Sequence, residues 1–235
     1  MPHTNHASRE NRLIAALSGK DRRHLLMNCE QVPLRFADIL GESGTPIHHI
    51  YFPTESIVSL VMPVAGHTGV EVGLVGNEGV LGLSHMLGVN LWPLRAVVQG
   101  SGTAWRMEAA QFLSELEYST DLHRRLNRYL YVSMRQFALS AACARFHVVE
   151  ARLARWLLMT QDRAHADDFH VTQEFLAYML GVRRVGVTEA AGLLQGRKLI
   201  VYRRGHITVL DRNGLEAAAC GCYEAEKAMY DSILG

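Results

Sequence analysis

Between residues 183 and 212 the chain carries Arg183, Arg184, Arg197, Lys198, Arg203, Arg204 and Arg212, against only Glu189 and Asp211. So local an excess of guanidinium and ammonium groups is the chemistry of phosphate binding, because each neutralised phosphate releases its condensed counterions. The same stretch holds Thr188 and Gln195, polar side chains able to hydrogen-bond a base edge or a phosphate, while Lys198, Arg203 and Arg204 suit phosphate contacts. The whole chain is close to neutral, with 24 Lys plus Arg and 23 Asp plus Glu, so a polyanionic partner has to be met by this segment alone.

Other reactive residue types are less well arranged. The four cysteines, at 29, 143, 220 and 222, have neither the number nor the spacing of a disulfide framework. Cys220-x-Cys222 is tighter than the two-residue gap of common zinc and iron–sulfur sites, and no second pair accompanies it in sequence, so buried thiols and no metal are expected. His48, His49, Glu55 and His85 brush against the metal pattern of a cupin-like enzyme. Adjacent residues of a strand point to opposite faces, however, so His48 and His49 cannot both turn inward. No phosphate loop, dinucleotide fingerprint, nucleophile elbow or HExxH motif is present, and no enzyme is expected.

The basic segment needs a scaffold, and its neighbours supply one. In TQEFLAYMLGVRRVGVTEAAGLLQ, Leu176, Ala177 and Leu180 form the inner face of a first helix (172 to 180). Gly181 permits a turn, and Val187, Ala191 and Leu194 bury a second helix (about 183 to 195) against the first. LIVYRR and HITVLD then read as a hairpin joined at Gly205. Helix, glycine turn, helix and hairpin have the mechanics of a winged helix-turn-helix, whose second helix enters the DNA major groove. Gly186 and Gly192 each weaken that helix by about 1 kcal/mol relative to Ala, which points either to close packing there or to a helix that tightens on DNA.

Upstream, VVEARLARWLLM (148 to 159) is amphipathic, with Leu153, Trp156 and Leu157 inward and Arg152 and Arg155 outward. Residues 121 to 145 carry no Gly or Pro and set Leu122, Leu126, Tyr129, Leu130, Met134, Phe137 and Ala141 along one stripe, a helix of about 37 Å that suits the seam of a homodimer. From about 34 to 108 short apolar runs cut by Gly, Pro and Asn read as strands of a sandwich or barrel. Leu13, Ile14, Leu17, Leu25 and Leu26 fit short helices, and residues 1 to 10 are polar and aperiodic, a fraying start. Hydrophobic residues make up 49% of the 235. No membrane-length apolar run and no secretory leader is read, so a cytoplasmic protein without membrane contact is expected.

These segments, together with EVGLVGNEGVLGL, PIHHIYFPTESIVSL and RGHITVLDRNGLE, resemble the Crp/Fnr family of bacterial transcription regulators over nearly the whole chain. The resemblance implies an α+β fold: a jelly-roll-like β-roll sensor similar to cyclic-nucleotide-binding domains at 1–117, a dimerisation helix at 118–146, and a C-terminal winged helix-turn-helix domain at 147–235. It implies a homodimer on a pseudo-palindromic operator of double-stranded DNA, with half-site centres about 34 to 36 Å apart, and RNA polymerase as a further partner. Carried over position by position, the guanine-reading arginine falls on Arg184, whose fork suits O6 and N7 together. The family's acidic reader falls on Val185 and its second arginine on Glu189, so a different target sequence is expected. Arg183 stands where the family often has Ser, trading a helix cap for a phosphate contact. The family's ribose-binding Gly-Glu pair falls on Gly82 and Leu83, and its phosphate arginine on Arg95. Without the acid, the effector pocket is not expected to be tuned to cyclic AMP, and no cofactor is expected; a cyclic-nucleotide-dependent regulator is the alternative.

Overall fold

The computed structural model describes residues 10–66 and 69–235; most of the polar start of the chain lies outside the described residues. Two compact units emerge, one of residues up to Leu60 together with Val75–Tyr131, the other of Val61–Leu74 together with Val132–Gly235. The long helix therefore contributes residues to both units.

The first unit opens with two short helices, α1 (Arg12–Ala15) and α2 (Gly19–Met27). The Asn11 side chain caps α1 by accepting from the N–H groups of Leu13 and Ile14, and its amide donates to the carbonyls of Pro53 and Gly79. Seven strands lie between residues 30 and 108: β1 (Glu30–Leu34), β2 (Ile39–Gly41), β3 (His49–Pro53), β4 (Ile57–Met62), β5 (Val70–Val75), β6 (Arg95–Gly100) and β7 (Gly102–Glu108); most of β5 and the end of β4 fall in the Val61–Leu74 segment of the second unit. They form two sheets, β1-β7-β3 and β2-β6-β4-β5, with antiparallel pairing of β7 to both its neighbours. Ile50, Phe52, Val58, Ala96, Val98, Ala104 and Met107 are buried, which is the apolar content that short β-branched and aromatic runs must hide. A 3-10 turn at Leu83–Leu87 and the helix α3 (Ala109–Tyr118) complete this part.

The helix α4 (Thr120–Phe146) runs 27 residues, about 40 Å at 1.5 Å per residue. Its predicted seam splits. Leu122, Leu126 and Tyr129 are buried inside the chain and Leu130 and Phe137 are half-buried, whereas Met134 and Ala141 are exposed. A seam residue has to be uncovered in the single chain, so the first three are core residues instead. The stripe was drawn by hydrophobicity, which does not distinguish a helix's inner face from a face kept for a partner.

In the second unit, α5 (Val149–Ala164) is followed by β8 (Asp168–His170), α6 (Gln173–Leu180), α7 (Arg184–Gly196), β9 (Ile200–Arg203), β10 (His206–Val209), α8 (Arg212–Ala218) and α9 (Cys222–Leu234). The hairpin gains a third strand, in the order β8-β10-β9. α5 packs on α6, α7, α8 and α9, and this corrects the expected outward face. Arg155 is buried and donates to Glu226 Oε2 at 2.6 Å, while Arg152 is half-buried and donates to the Leu180 carbonyl. Every residue of α5 from Leu153 to Gln161 is buried, so the guanidinium of Arg155 has no solvent side and requires a buried acceptor. Burial disfavours charge on Arg155, yet the Glu226 carboxylate more than offsets this and raises its pKa.

Candidate DNA-binding face and cysteine cluster

Helix α6 begins at Thr172, whose hydroxyl accepts from the Phe175 N–H at 3.1 Å, and ends at Gly181 with φ +61. This left-handed residue turns the chain sharply enough for α7 to start three residues later. Val187, Ala190, Ala191 and Leu194 are buried and fix α7 against the body. The opposite face is then dictated by helical period: Arg184, Val185, Thr188 and Glu189 are all exposed, Val185 at 66%. An exposed valine at the start of a helix, flanked by Arg183 and Arg184, is apolar surface set among cations.

The side chains of this face are partly organised. Arg184 Nε lies 3.4 Å from Gln173 Oε1, which also accepts from the Thr188 hydroxyl at 3.1 Å. Arg183 occupies the N-cap without a side-chain capping bond, so the first turn of α7 keeps N–H groups for an outside acceptor. Gly186 and Gly192 are not close-packing positions, since a Cβ built at either meets nothing within 4 Å. Gln195 is exposed, and its Oε1 accepts the Tyr202 N–H of β9 at 2.8 Å. The hairpin turn places Arg204 at φ +50 and Gly205 at φ +80, the two left-handed residues of a tight primed turn, with Arg203 and Arg204 exposed at its tip. Lys198, exposed and also left-handed at φ +59, closes α7.

The sensor positions come out differently. Gly82 has φ +90 and caps the 3-10 turn that begins at Leu83. Arg95 is paired with Glu42, Nε to Oε2 at 2.8 Å. The cation matching the family's phosphate arginine thus already has a carboxylate partner, one residue past the end of β2. His49 is paired with Glu108 at 3.0 Å, and among the described residues His48, His49, Glu55 and His85 form no ligand cluster.

The cysteines require a correction. A pair was missing for Cys220-x-Cys222 in sequence, but α4 supplies one in space. Cys143 and His147, four residues apart on one helical face, meet the α8–α9 corner so that the ligand atoms of Cys143, His147, Cys220 and Cys222 all lie within 4.8 Å of one another. Cys143 Sγ is 3.5 Å from Cys220 Sγ, and Cys222 Sγ is 3.6 Å from His147 Nδ1. The hydrogen bond with Cys143 pulls the Cys220 thiol well below its ordinary range and pushes Cys143 up. The helical pair Cys143-x3-His147 was the signal available in the sequence.

Residues 151–218 match the model of the Crp-like helix-turn-helix domain. No curated protein sequence matches the chain. Among solved structures, the chain is similar to FixK2 from Bradyrhizobium japonicum, with a TM-score of 0.69 at 14% identity, covering 82% of this chain and 98% of that one. It is similar to a putative transcriptional regulator of the Crp/Fnr family from Eubacterium rectale, with a TM-score of 0.69 at 15% identity over 88% of this chain and 96% of that one. It is also similar to the c-di-GMP-responsive global regulator CLP of Xanthomonas campestris, with a TM-score of 0.66 at 15% identity over 82% of this chain and 99% of that one. With the domain match and these neighbours together, the chain has the fold of a Crp/Fnr-type transcription regulator, with a Crp-like helix-turn-helix DNA-binding domain at its C-terminal end.

Proposed function

We propose that the protein is a sequence-specific transcription regulator that binds a pseudo-palindromic operator as a homodimer. The observation that carries this reading is the α7 face, where Arg184, Val185, Thr188 and Glu189 are exposed together while the opposite side of the helix is buried. In the major groove Arg184 takes a guanine through O6 and N7, Glu189 accepts from a cytosine amino group, and Val185 touches a thymine methyl. Arg183, Lys198, Arg203 and Arg204 hold phosphates on either side and set the register. Thr188 bridges to this array through Gln173. Gln195, bonded to the wing backbone, positions the hairpin and leaves the bases to its neighbours.

Dimerisation through α4 is supported by a second stripe. Tyr131, Met134, Ala138 and Ala141 are exposed at alternating spacings of three and four residues, the pattern of a coiled-coil seam, with Tyr131 at 51% and Met134 at 63%. Cyclic AMP does not fit the sensor as its input, because Leu83 offers no acid for a ribose and Glu42 competes for Arg95. RNA polymerase is the partner through which bound dimers act, and no helix among the described residues is long and apolar enough to cross a membrane.

Fluorescence anisotropy against operators selected from random duplexes tests the reading. Arg184→Ala should weaken the selected site by about 5- to 150-fold, equivalent to about 1–3 kcal/mol, and relax preference at one base pair per half-site. Arg204→Ala should weaken all sequences evenly and lower the salt slope by about one. Failure to select any sequence from the pool, or undiminished selectivity in Arg184→Ala, would overturn the proposal.

A further inference from the structure

We propose that Cys143, His147, Cys220 and Cys222 form a Cys3His site for a thiophilic divalent cation, zinc in the first place, which pins the C-terminal end of α4 to the corner between α8 and α9. Four observations converge on it. The donor set is three sulfurs and one imidazole nitrogen, the chemistry of closed structural zinc sites. The four donors come from two places in the chain, an i,i+4 pair whose second member is the first residue past α4 and a C-x-C pair whose second member is the first residue of α9, so a shared ion would cross-link residues more than seventy positions apart in sequence.

The distances also fit. With Zn–S bonds of about 2.3 Å and Zn–N bonds of about 2.0 to 2.1 Å, a tetrahedral centre holds its sulfurs about 3.7 Å apart and its sulfur–nitrogen edges about 3.5 Å. The observed edges are 3.5 Å between Cys143 and Cys220 and 3.6 Å between Cys222 and His147. The sulfurs are too far apart for a disulfide, which needs about 2.05 Å, and all the cysteines are free thiols.

The surroundings suit such an ion. Cys143, Cys220 and Cys222 are buried and packed against Leu139 and Ala151, which keeps competing water away, while His147 is exposed and leaves a route of entry. Three thiolates and a neutral imidazole around a divalent cation leave one net negative charge. Arg152 stands close enough to Cys143 and Cys220 to interact with them electrostatically and provides the compensating cation.

The full-length protein, freed of any histidine tag and purified under reductant, is assayed for zinc by mass spectrometry after incubation with zinc sulfate and gel filtration, and for cobalt(II) by its absorption spectrum. About one zinc per chain is expected, with intense d–d bands and sulfur-to-cobalt charge transfer for the cobalt form. Cys222→Ser and His147→Gln should each weaken binding about a hundredfold or more, and Cys29→Ser, outside the cluster, should bind as the wild type does. His147 is exposed, so its substitution tests the site even where Cys222→Ser fails to fold. Less than a tenth of an equivalent in the wild type, a cobalt spectrum without thiolate charge transfer, full occupancy in His147→Gln, or a Cys143–Cys220 disulfide in place of metal would each overturn the assignment. The outcome is independent of DNA binding: a chain that takes zinc but selects no operator leaves this site standing and removes the regulator reading.

Discussion

Replacing Glu226 should be the most damaging single polar substitution in the C-terminal unit. Glu226 is 3% exposed. Oε2 accepts from Arg155 at 2.6 Å, Oε1 accepts from the Gln136 amide at 2.6 Å, and Arg163 stands 3.8 Å away. Glu226→Ala leaves a buried guanidinium without its counter-charge and Gln136 without its close acceptor. Breaking one side of such a pair costs about 3–5 kcal/mol, which for a unit of this size lowers the melting temperature by roughly 10 to 20 °C. Replacing both partners, with Arg155→Met and Glu226→Leu, removes the uncompensated charge as well as the pair and should recover most of the loss, since apolar residues of similar volume often match a buried ion pair. Urea denaturation followed by tryptophan fluorescence measures both variants; Trp156 lies beside Arg155 on α5 and reports on this region. A loss below about 1 kcal/mol in Glu226→Ala, or a double variant worse than the single one, would refute the reasoning: Arg155 would then have found water or another acceptor, and the burial argument would fail.

Other substitutions test other parts of the account. Met134→Glu puts a charge on each side of the proposed seam and should convert the dimer to monomers in analytical ultracentrifugation, with Leu126→Ala unfolding the chain instead, because Leu126 is buried inside it. Gly192→Ala should stabilise the fold by about 1 kcal/mol, as its Cβ meets nothing; a melting temperature that falls would mean an unseen contact. Burial, reinforced by Glu115, pushes the Cys29 thiol up to about 12. The folded chain therefore holds this proton above the ordinary thiol range near 8.5, so the group's contribution to stability is complete below about pH 8 and is lost as pH rises toward 12. Iodoacetamide at pH 8 should leave Cys29 unmodified until denaturant is added; rapid labelling of the native protein, read by peptide mass mapping, contradicts this.

Much of the recognition unit was readable from local chemistry. Thr172 caps α6, Gly181 supplies the left-handed turn, the spacing of Val187, Ala191 and Leu194 orients α7, and Gly205 sits in the primed turn of the hairpin. Each of these depends on backbone conformation or helical period within a few residues, so the sequence carries them whole. The basic segment is likewise a local property, and with α7 oriented, exposure of Arg184 and Glu189 follows from period alone.

What only the tertiary structure decided are matters of which surface meets which. The apolar stripe of α4 mixes core residues such as Leu126 with open ones such as Met134, because hydrophobicity marks burial without naming the partner. Arg155 was read as solvent-facing by its charge, and four packed helices made it internal, which in turn demanded Glu226 from more than seventy residues away. Arg95 matched a ligand position through the family resemblance and was claimed by Glu42 when the chain folded. Cys143 and His147 are neighbours on a helix, but Cys220 and Cys222 come to them only because α8 and α9 return to the end of α4. Pairings of this kind depend on chain path over long sequence separations, and no local propensity or periodicity encodes that path.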